Sequence, residues 1–95
     1  METVKTTGVV ATKHGSRYLQ QLCKHWSHKF TVNFDPQQGS IDLPAGTVVL
    51  TAASEQLQLD LTAKNEEDLP RLKNVVASHL DRFAFREAPL PFVWE

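Results

Sequence analysis

Apolar and polar residues alternate with a period of two along the middle of the chain, which is the pattern of half-buried β-strands. The alternating segments are residues 30–34, 40–43, 47–52 and 57–62, with turns at residues 35–39 and 44–46. The pattern is cleanest where Leu57, Leu59 and Leu61 recur at every second position. Four antiparallel strands are therefore expected, with one apolar face and one polar face.

A further strand is expected before these four. The segment from Thr3 to Thr12 is rich in β-branched residues, which favour extended structure. Gly8 lies in its middle, where a glycine marks a bulge or a point at which other atoms approach the backbone closely.

Between the first strand and the alternating segments, residues 16–29 have the period of an amphipathic helix. The residues that fall on its apolar face are Tyr18, Leu19, Leu22, Cys23 and Trp26. Ser16 is suited to the N-cap, because its hydroxyl can accept a hydrogen bond from a free backbone amide of the first turn.

A second helix follows the last alternating strand. Its start is left open between capping by Asn65 and capping by Asp68, because Pro70 is better placed in the first turn than further in. Its apolar stripe consists of Leu69, Leu72, Val75, Val76, Leu80 and Phe83. Residues 90–94 alternate well enough for a short last strand, which their prolines would confine to a sheet edge.

These elements predict one α+β domain spanning residues 1–95, with an antiparallel sheet and two helices on one face. The order is β-α-β-β-β-β-α plus a short C-terminal edge strand, which is the element order of the TATA-binding-protein-like architecture. Ninety-five residues, 41% of them hydrophobic, are enough for a single core and too few for a second.

Charge and composition exclude some functional classes. The net charge of -1 gives no overall attraction to nucleic acid or to an anionic membrane, and no apolar run is long enough to cross a bilayer. The outward positions of the expected sheet carry no aromatic residue on which RNA bases could stack. A single cysteine fits a reducing compartment, so a cytoplasmic location is expected, with neither nucleic acid nor membrane as partner.

Positive charge is concentrated in the first helix. Residues 13–29 contain four Lys or Arg residues, three histidines and no acid, so this segment carries about +4 while the other residues carry about -5. The first functional hypothesis places an anionic ligand or an acidic surface on this segment. The residues proposed to bind it are Arg17, Lys24, His28 and Lys29.

Histidines offer a metal site as an alternative, since imidazole is a good zinc or iron ligand. His25 and His28 can share a side of the first helix, and His79 could add a third nitrogen from the second. No recognised zinc spacing is present, so no metal or other cofactor is favoured. His79 is expected inside the core, hydrogen-bonded to backbone or to Tyr18, and Cys23 is expected to be a core residue rather than a nucleophile.

Two segments resemble a known family. They are SRYLQQLCKHWSHK at residues 16–29 and VVASHLDRFAFRE at residues 75–87. Both are similar to the bacterial family called domain of unknown function 2218. Members of that family occur alone or fused to siderophore-interacting flavoproteins, so the resemblance implies a part in siderophore or iron utilisation. It implies no catalytic residue.

The leading hypothesis is therefore a small cytoplasmic binding or accessory domain that handles an anionic small molecule or a siderophore-interacting flavoprotein. The chain contains no glycine-rich phosphate loop, nucleophile elbow or HExxH pair, which favours a non-enzymatic role. Two alternatives stay open. One is a structural or interaction module, monomeric or weakly dimeric, that associates through its C-terminal edge at residues 90–94. The other is weak metal binding by histidines.

Overall fold

The computed structural model describes residues 3–84 and 92–94. Six strands and two helices follow one another in the predicted order. They are β1 (Val4–Ala11), α1 (Gly15–Trp26), β2 (Val32–Phe34), β3 (Gln38–Leu43), β4 (Gly46–Ala52), β5 (Gln56–Ala63), α2 (Asp68–Phe83) and β6 (Val93–Trp94). The predicted α+β fold class is confirmed.

All six strands form one antiparallel sheet in the order β2-β3-β4-β5-β1-β6. Strands β2 to β5 are a meander of sequential neighbours, while β1 pairs with β5 along its whole length and separates it from β6. The two edges of the sheet are thus β2 and β6. The first strand of the chain lies inside the sheet.

Both helices cover the same face of this sheet, and the core lies between them and the strands. The alternation predicts that face correctly, since Leu57, Leu59 and Leu61 are buried. The opposite face carries Gln58 and Asp60, whose side chains are hydrogen-bonded to each other at 3.1 Å. Thr7 of β1 donates a second bond to Asp60, at 2.8 Å.

Helix α1 buries the apolar face expected of it, but the predicted role of Ser16 as N-cap is wrong. The helix begins one residue earlier, at Gly15, so Ser16 already lies in the first turn. Its hydroxyl donates to the backbone oxygen of Pro36 at 2.5 Å and accepts from Gln20. A tertiary bond to the β2–β3 loop has taken the place of the local cap.

The end of α1 also differs from the prediction. The α-helix stops at Trp26, and residues 27–29 form a turn rather than a further helical turn. The N–H groups of Lys29 and Phe30 both bond to the backbone oxygen of Trp26. This turn redirects the chain towards β2 and places residues 28–30 beside the end of the helix.

Helix α2 begins at Asp68, so Pro70 lies in its first turn, where a missing N–H costs no intrahelical bond. The side chain of Asn65, in the turn before the helix, accepts a hydrogen bond at 2.9 Å from the backbone N–H of Asp68, three residues later. Along the helix Leu72, Val76 and Leu80 are fully buried at i, i+4 spacing. They are the line of contact with the sheet.

Trp94 accounts for the glycine in β1. In the β1–β6 pair Gly8 lies opposite Trp94, and a Cβ atom added to Gly8 would overlap that indole ring. The predicted close approach at Gly8 is confirmed. Lys73 of α2 lies 5.3 Å above the same ring, and Phe92 stacks on it with centroids 5.6 Å apart.

The predicted edge strand is confirmed at residues 93–94, while Leu90 and Pro91 lie outside the described residues. Within residues 3–84 and 92–94, neither helix is long and apolar enough to cross a membrane.

Candidate functional site

A groove of about 570 Å³ lies between the C-terminal end of α1, the β3–β4 turn and α2. It is lined by His25, Trp26, His28, Lys29, Phe30, Leu43, Pro44, Ala45, Arg71, Leu72, Val75 and His79. Its volume falls in the range of small-molecule sites, about 300 to 1,000 Å³.

The walls of the groove are apolar because three elements turn hydrophobic residues towards it. Trp26 ends the apolar face of α1, and Phe30 follows after the turn, with their rings edge-on at 6.4 Å. Leu72 and Val75 come from the stripe of α2. Such walls exclude water and lower the local dielectric, so charges at their rim interact more strongly than they would in bulk solvent.

Among the described residues, every ionisable side chain that lines the groove is basic. Lys29 and Arg71 are cationic side chains, and three histidines accompany them. No carboxylate, hydroxyl or amide group is among the twelve lining side chains. The groove therefore has apolar walls and a cationic rim. This combination suits an apolar molecule with a negatively charged group.

The four residues predicted to bind an anion are divided by this geometry. His28 and Lys29 line the groove, whereas Arg17 and Lys24 are exposed on α1 and do not. The cause is the turn at residues 27–29, which directs the end of the basic segment towards α2. Arg17 and Lys24 lie on the helix itself, where their side chains are exposed to solvent. The role of Arg17 and Lys24 in anion binding stays a prediction.

Arg71 is a lining residue that the sequence analysis missed. It lies on α2 at i−4 from Val75 and i−8 from His79, so these three side chains share one flank of the helix. This spacing is the signal in the sequence that places Arg71 beside His79. It does not by itself predict a binding site, because the sequence does not show that this flank of α2 faces the end of α1.

The three histidines considered as metal ligands all line the groove. The His25 and His79 rings meet, with centroids 5.4 Å apart, and His25 also contacts Phe83 at 5.7 Å. Among the described residues no group of three or more His, Cys, Asp or Glu side chains is arranged to hold a metal ion. His25 and His79 form an aromatic contact between the two helices instead.

His79 is half-buried on a wall of the groove, so its predicted place inside the core is wrong. The fully buried line of α2 runs through Leu72, Val76 and Leu80, and His79 lies on the flank beside it. Its expected backbone hydrogen bond is present, between Nδ1 and the backbone oxygen of Val75 at 2.7 Å. The ring also packs against Trp26, with centroids 4.8 Å apart.

Cys23 is fully buried, which confirms its predicted place in the core. Burial disfavours the thiolate and raises the pKa of the Cys23 thiol to about 11. A Cβ atom added to Gly39 of β3 would lie 2.8 Å from its Sγ, so the sulfur packs directly on the sheet. Such a thiol is a poor nucleophile.

Comparison with known proteins gives one family and one solved structure. A family model described as an uncharacterized protein conserved in bacteria (DUF2218) matches residues 7–95. The NMR structure of PA4090 from Pseudomonas aeruginosa superimposes with a TM-score of 0.80 at 36% sequence identity, covering 96% of this chain and 94% of that one. No curated protein matches.

Proposed function

We propose that the chain, which belongs to the bacterial DUF2218 family, is a binding domain that holds an amphipathic organic anion in the groove between α1 and α2. The observation that carries the proposal is the lining of the groove. Apolar walls meet a rim on which every ionisable group of the described residues is basic.

The lining also narrows the chemistry of the ligand. Sugars and nucleosides need many neutral donors and acceptors to replace their lost hydration, and none of the twelve side chains is a hydroxyl or an amide. A compact inorganic anion would leave the apolar walls unused. A molecule with an apolar or aromatic body and one or more acidic groups uses both parts of the site.

Arg71 is proposed to bind the acidic group, because a guanidinium presents two parallel N–H groups to a carboxylate. Lys29 contributes charge from the opposite side of the groove, on the turn after α1. Trp26 and Phe30 contact the apolar body. The role in siderophore or iron utilisation that the family resemblance implies makes ferric siderophores with acidic groups the natural ligands to include in a screen.

Titration of ¹⁵N-labelled protein with 2-naphthoate and with neutral 2-naphthamide tests the proposal. We expect amide shifts from the acid at residues 25–30, 43–45 and 71–79, with much smaller shifts from the amide and weaker binding at high salt. Arg71→Gln should weaken naphthoate binding about tenfold, a loss of about 1.4 kcal/mol.

Arg82→Gln is the matched control, since Arg82 is an exposed cation of the same helix that does not line the groove. Equal binding of acid and amide, or equal losses in the two variants, would contradict the proposal. Shifts centred on Arg17 and Lys24 would instead move the anion site to the exposed face of α1.

A further inference from the structure

The hydrogen bond of His79 determines which nitrogen its ring can offer to a ligand. A backbone carbonyl oxygen only accepts, so the 2.7 Å contact between Val75 O and His79 Nδ1 requires the proton to be on Nδ1. In the neutral ring Nε2 then carries a lone pair and no proton. The fold thereby selects one tautomer of this histidine.

The other ring nitrogen, Nε2, has no hydrogen-bond partner among the described residues. Every buried side-chain nitrogen or oxygen atom in the described part of the chain has a partner, so Nε2 is not buried. The residue that carries it lines the groove. The other neighbours of the ring are Trp26 and His25, which contact it through their own rings.

We infer that His79 is a specificity-determining residue whose Nε2 accepts a hydrogen bond from the ligand, so that the groove selects aromatic acids that carry a hydroxyl group at the end remote from the carboxylate. The inference rests on the proposed function and names the ligand class of that same site. It adds the requirement that the ligand carry a hydrogen-bond donor for Nε2, which the cationic rim alone does not impose.

The spacing along α2 favours a ligand with its two polar groups apart. Arg71 and His79 are eight residues apart on one flank, so their backbone positions are separated by about 12 Å along a helix that rises about 1.5 Å per residue. A hydroxyl next to the carboxylate spans little of this distance. It would also be bonded to its own carboxylate, whereas a hydroxyl across two fused rings is free to reach Nε2.

Three naphthoic acids separate these effects at pH 8.5, on the alkaline side of the histidine range. They are 6-hydroxy-2-naphthoate, its 6-methoxy ether and 3-hydroxy-2-naphthoate, each compared with 2-naphthoate by calorimetry. In the wild-type protein we expect the 6-hydroxy acid to bind about fivefold to tenfold more tightly than 2-naphthoate, the range of one net hydrogen bond. The methoxy ether and the 3-hydroxy isomer should show no gain.

His79→Phe keeps a ring against Trp26 and removes the acceptor. In this variant the 6-hydroxy acid and 2-naphthoate should bind with equal affinity, even if the loss of the imidazole weakens the binding of both. An advantage that persists in His79→Phe, or equal affinities of all four acids for the wild type, would overturn the inference and leave the proposed function intact. Failure of all four to bind would refute the proposed function itself, and this inference with it.

The tautomer can be measured without any variant or ligand. Long-range ¹H–¹⁵N correlation spectra of the imidazole distinguish a protonated Nδ1 from a protonated Nε2. We expect His79 to carry its proton on Nδ1. A proton on Nε2 in the wild-type protein at pH 8.5 would overturn the inference whatever the binding data show.

Discussion

Trp26 and His79 are in ring contact across the two helices, with centroids 4.8 Å apart and ring planes inclined at 49°. Trp26 is the last residue of α1 and only 4% exposed, yet it forms part of the groove wall. The indole is thus packed in the core on one side and available to a ligand on the other. It is a natural reporter of occupancy.

We expect decanoate, a transparent amphipathic anion, to shift the emission of Trp26 to shorter wavelength, because its chain would replace water at the groove wall. The shift should persist in Trp94→Phe and vanish in Trp26→Phe, since Trp94 packs on Gly8 and does not line the groove. Fluorescence titration below the micelle concentration checks this. A shift that follows Trp94 would place the ligand elsewhere.

Gly8→Ala should destabilise the protein by about 1 to 3 kcal/mol, because its Cβ would overlap the Trp94 ring. In a Trp94→Ala background the same substitution should cost less than about 0.5 kcal/mol, since the obstructing ring is gone. Urea unfolding of both single variants and the double variant gives the coupling energy. Additive effects would mean that Trp94 does not occupy the space above Gly8 in solution.

The Cys23 thiol should make the stability of the fold depend on alkaline pH. Burial raises its pKa from the ordinary value of 9.0 to about 11 in the folded protein. The folded state therefore favours the neutral thiol over the thiolate. This stabilisation is present below pH 9 and is lost as pH rises through about 11, where the buried thiol must ionise.

Relative to Cys23→Ala, the wild type should therefore lose about 2 kcal/mol of unfolding free energy between pH 8 and pH 10.5. Other groups titrate in both proteins and cancel in the difference, which urea unfolding measures at each pH. A constant difference, or rapid reaction of the native thiol with a disulfide reagent at pH 8, would contradict burial of Cys23.

Untagged protein is expected to purify without stoichiometric metal. A three-nitrogen site would need each ligand nitrogen about 2.0 to 2.1 Å from one ion. Among the described residues, no group of three or more His, Cys, Asp or Glu side chains is arranged to hold one. Elemental analysis, followed by zinc and ferrous-iron titration of wild type and His79→Ala, provides the measurement. Near-stoichiometric metal that is lost in His79→Ala would reverse this expectation and favour a metal-dependent function.

Much of the fold could be predicted because the signals are local. Alternating leucines in β5 and the stripe of α2 report directly which side chains are buried, since burial follows the period of each element. Gly8 is also a local signal, because a glycine inside a strand predicts a bulge or a close approach of other atoms. It does not predict which residue approaches. Trp94 becomes its neighbour only through the pairing of β6 with β1.

The candidate site could be predicted only in part, because it depends on how elements meet. The charge of their segment predicts His28 and Lys29, but Arg71 belongs to the site only because α2 lies beside the end of α1. The sequence predicts a local cap at Ser16, since it does not show that the chain folds Pro36 against this residue. It predicts His79 in the core, since spacing alone does not separate the centre of a stripe from its flank.

The position of β1 inside the sheet has a consequence for the order of events in folding. Its partner β5 is far along the chain, with Ala11 opposite Gln56, whereas β2 to β5 pair through short turns. Pairing β1 with β5 closes a long loop and costs chain entropy, whereas the meander of β2 to β5 can form without closing that loop. We therefore expect Leu50→Ala in β4 to slow refolding and Val10→Ala in β1 mainly to speed unfolding, as measured by stopped-flow kinetics.

Equal effects of the two substitutions on the refolding rate would contradict that order. If it holds, β1 is among the last elements to reach its native place although it precedes β5 in the chain, and it remains unpaired until β5 has formed. During that interval β5 presents an open edge, so the time the chain needs to insert β1 is also the time for which it is most exposed to pairing with another molecule.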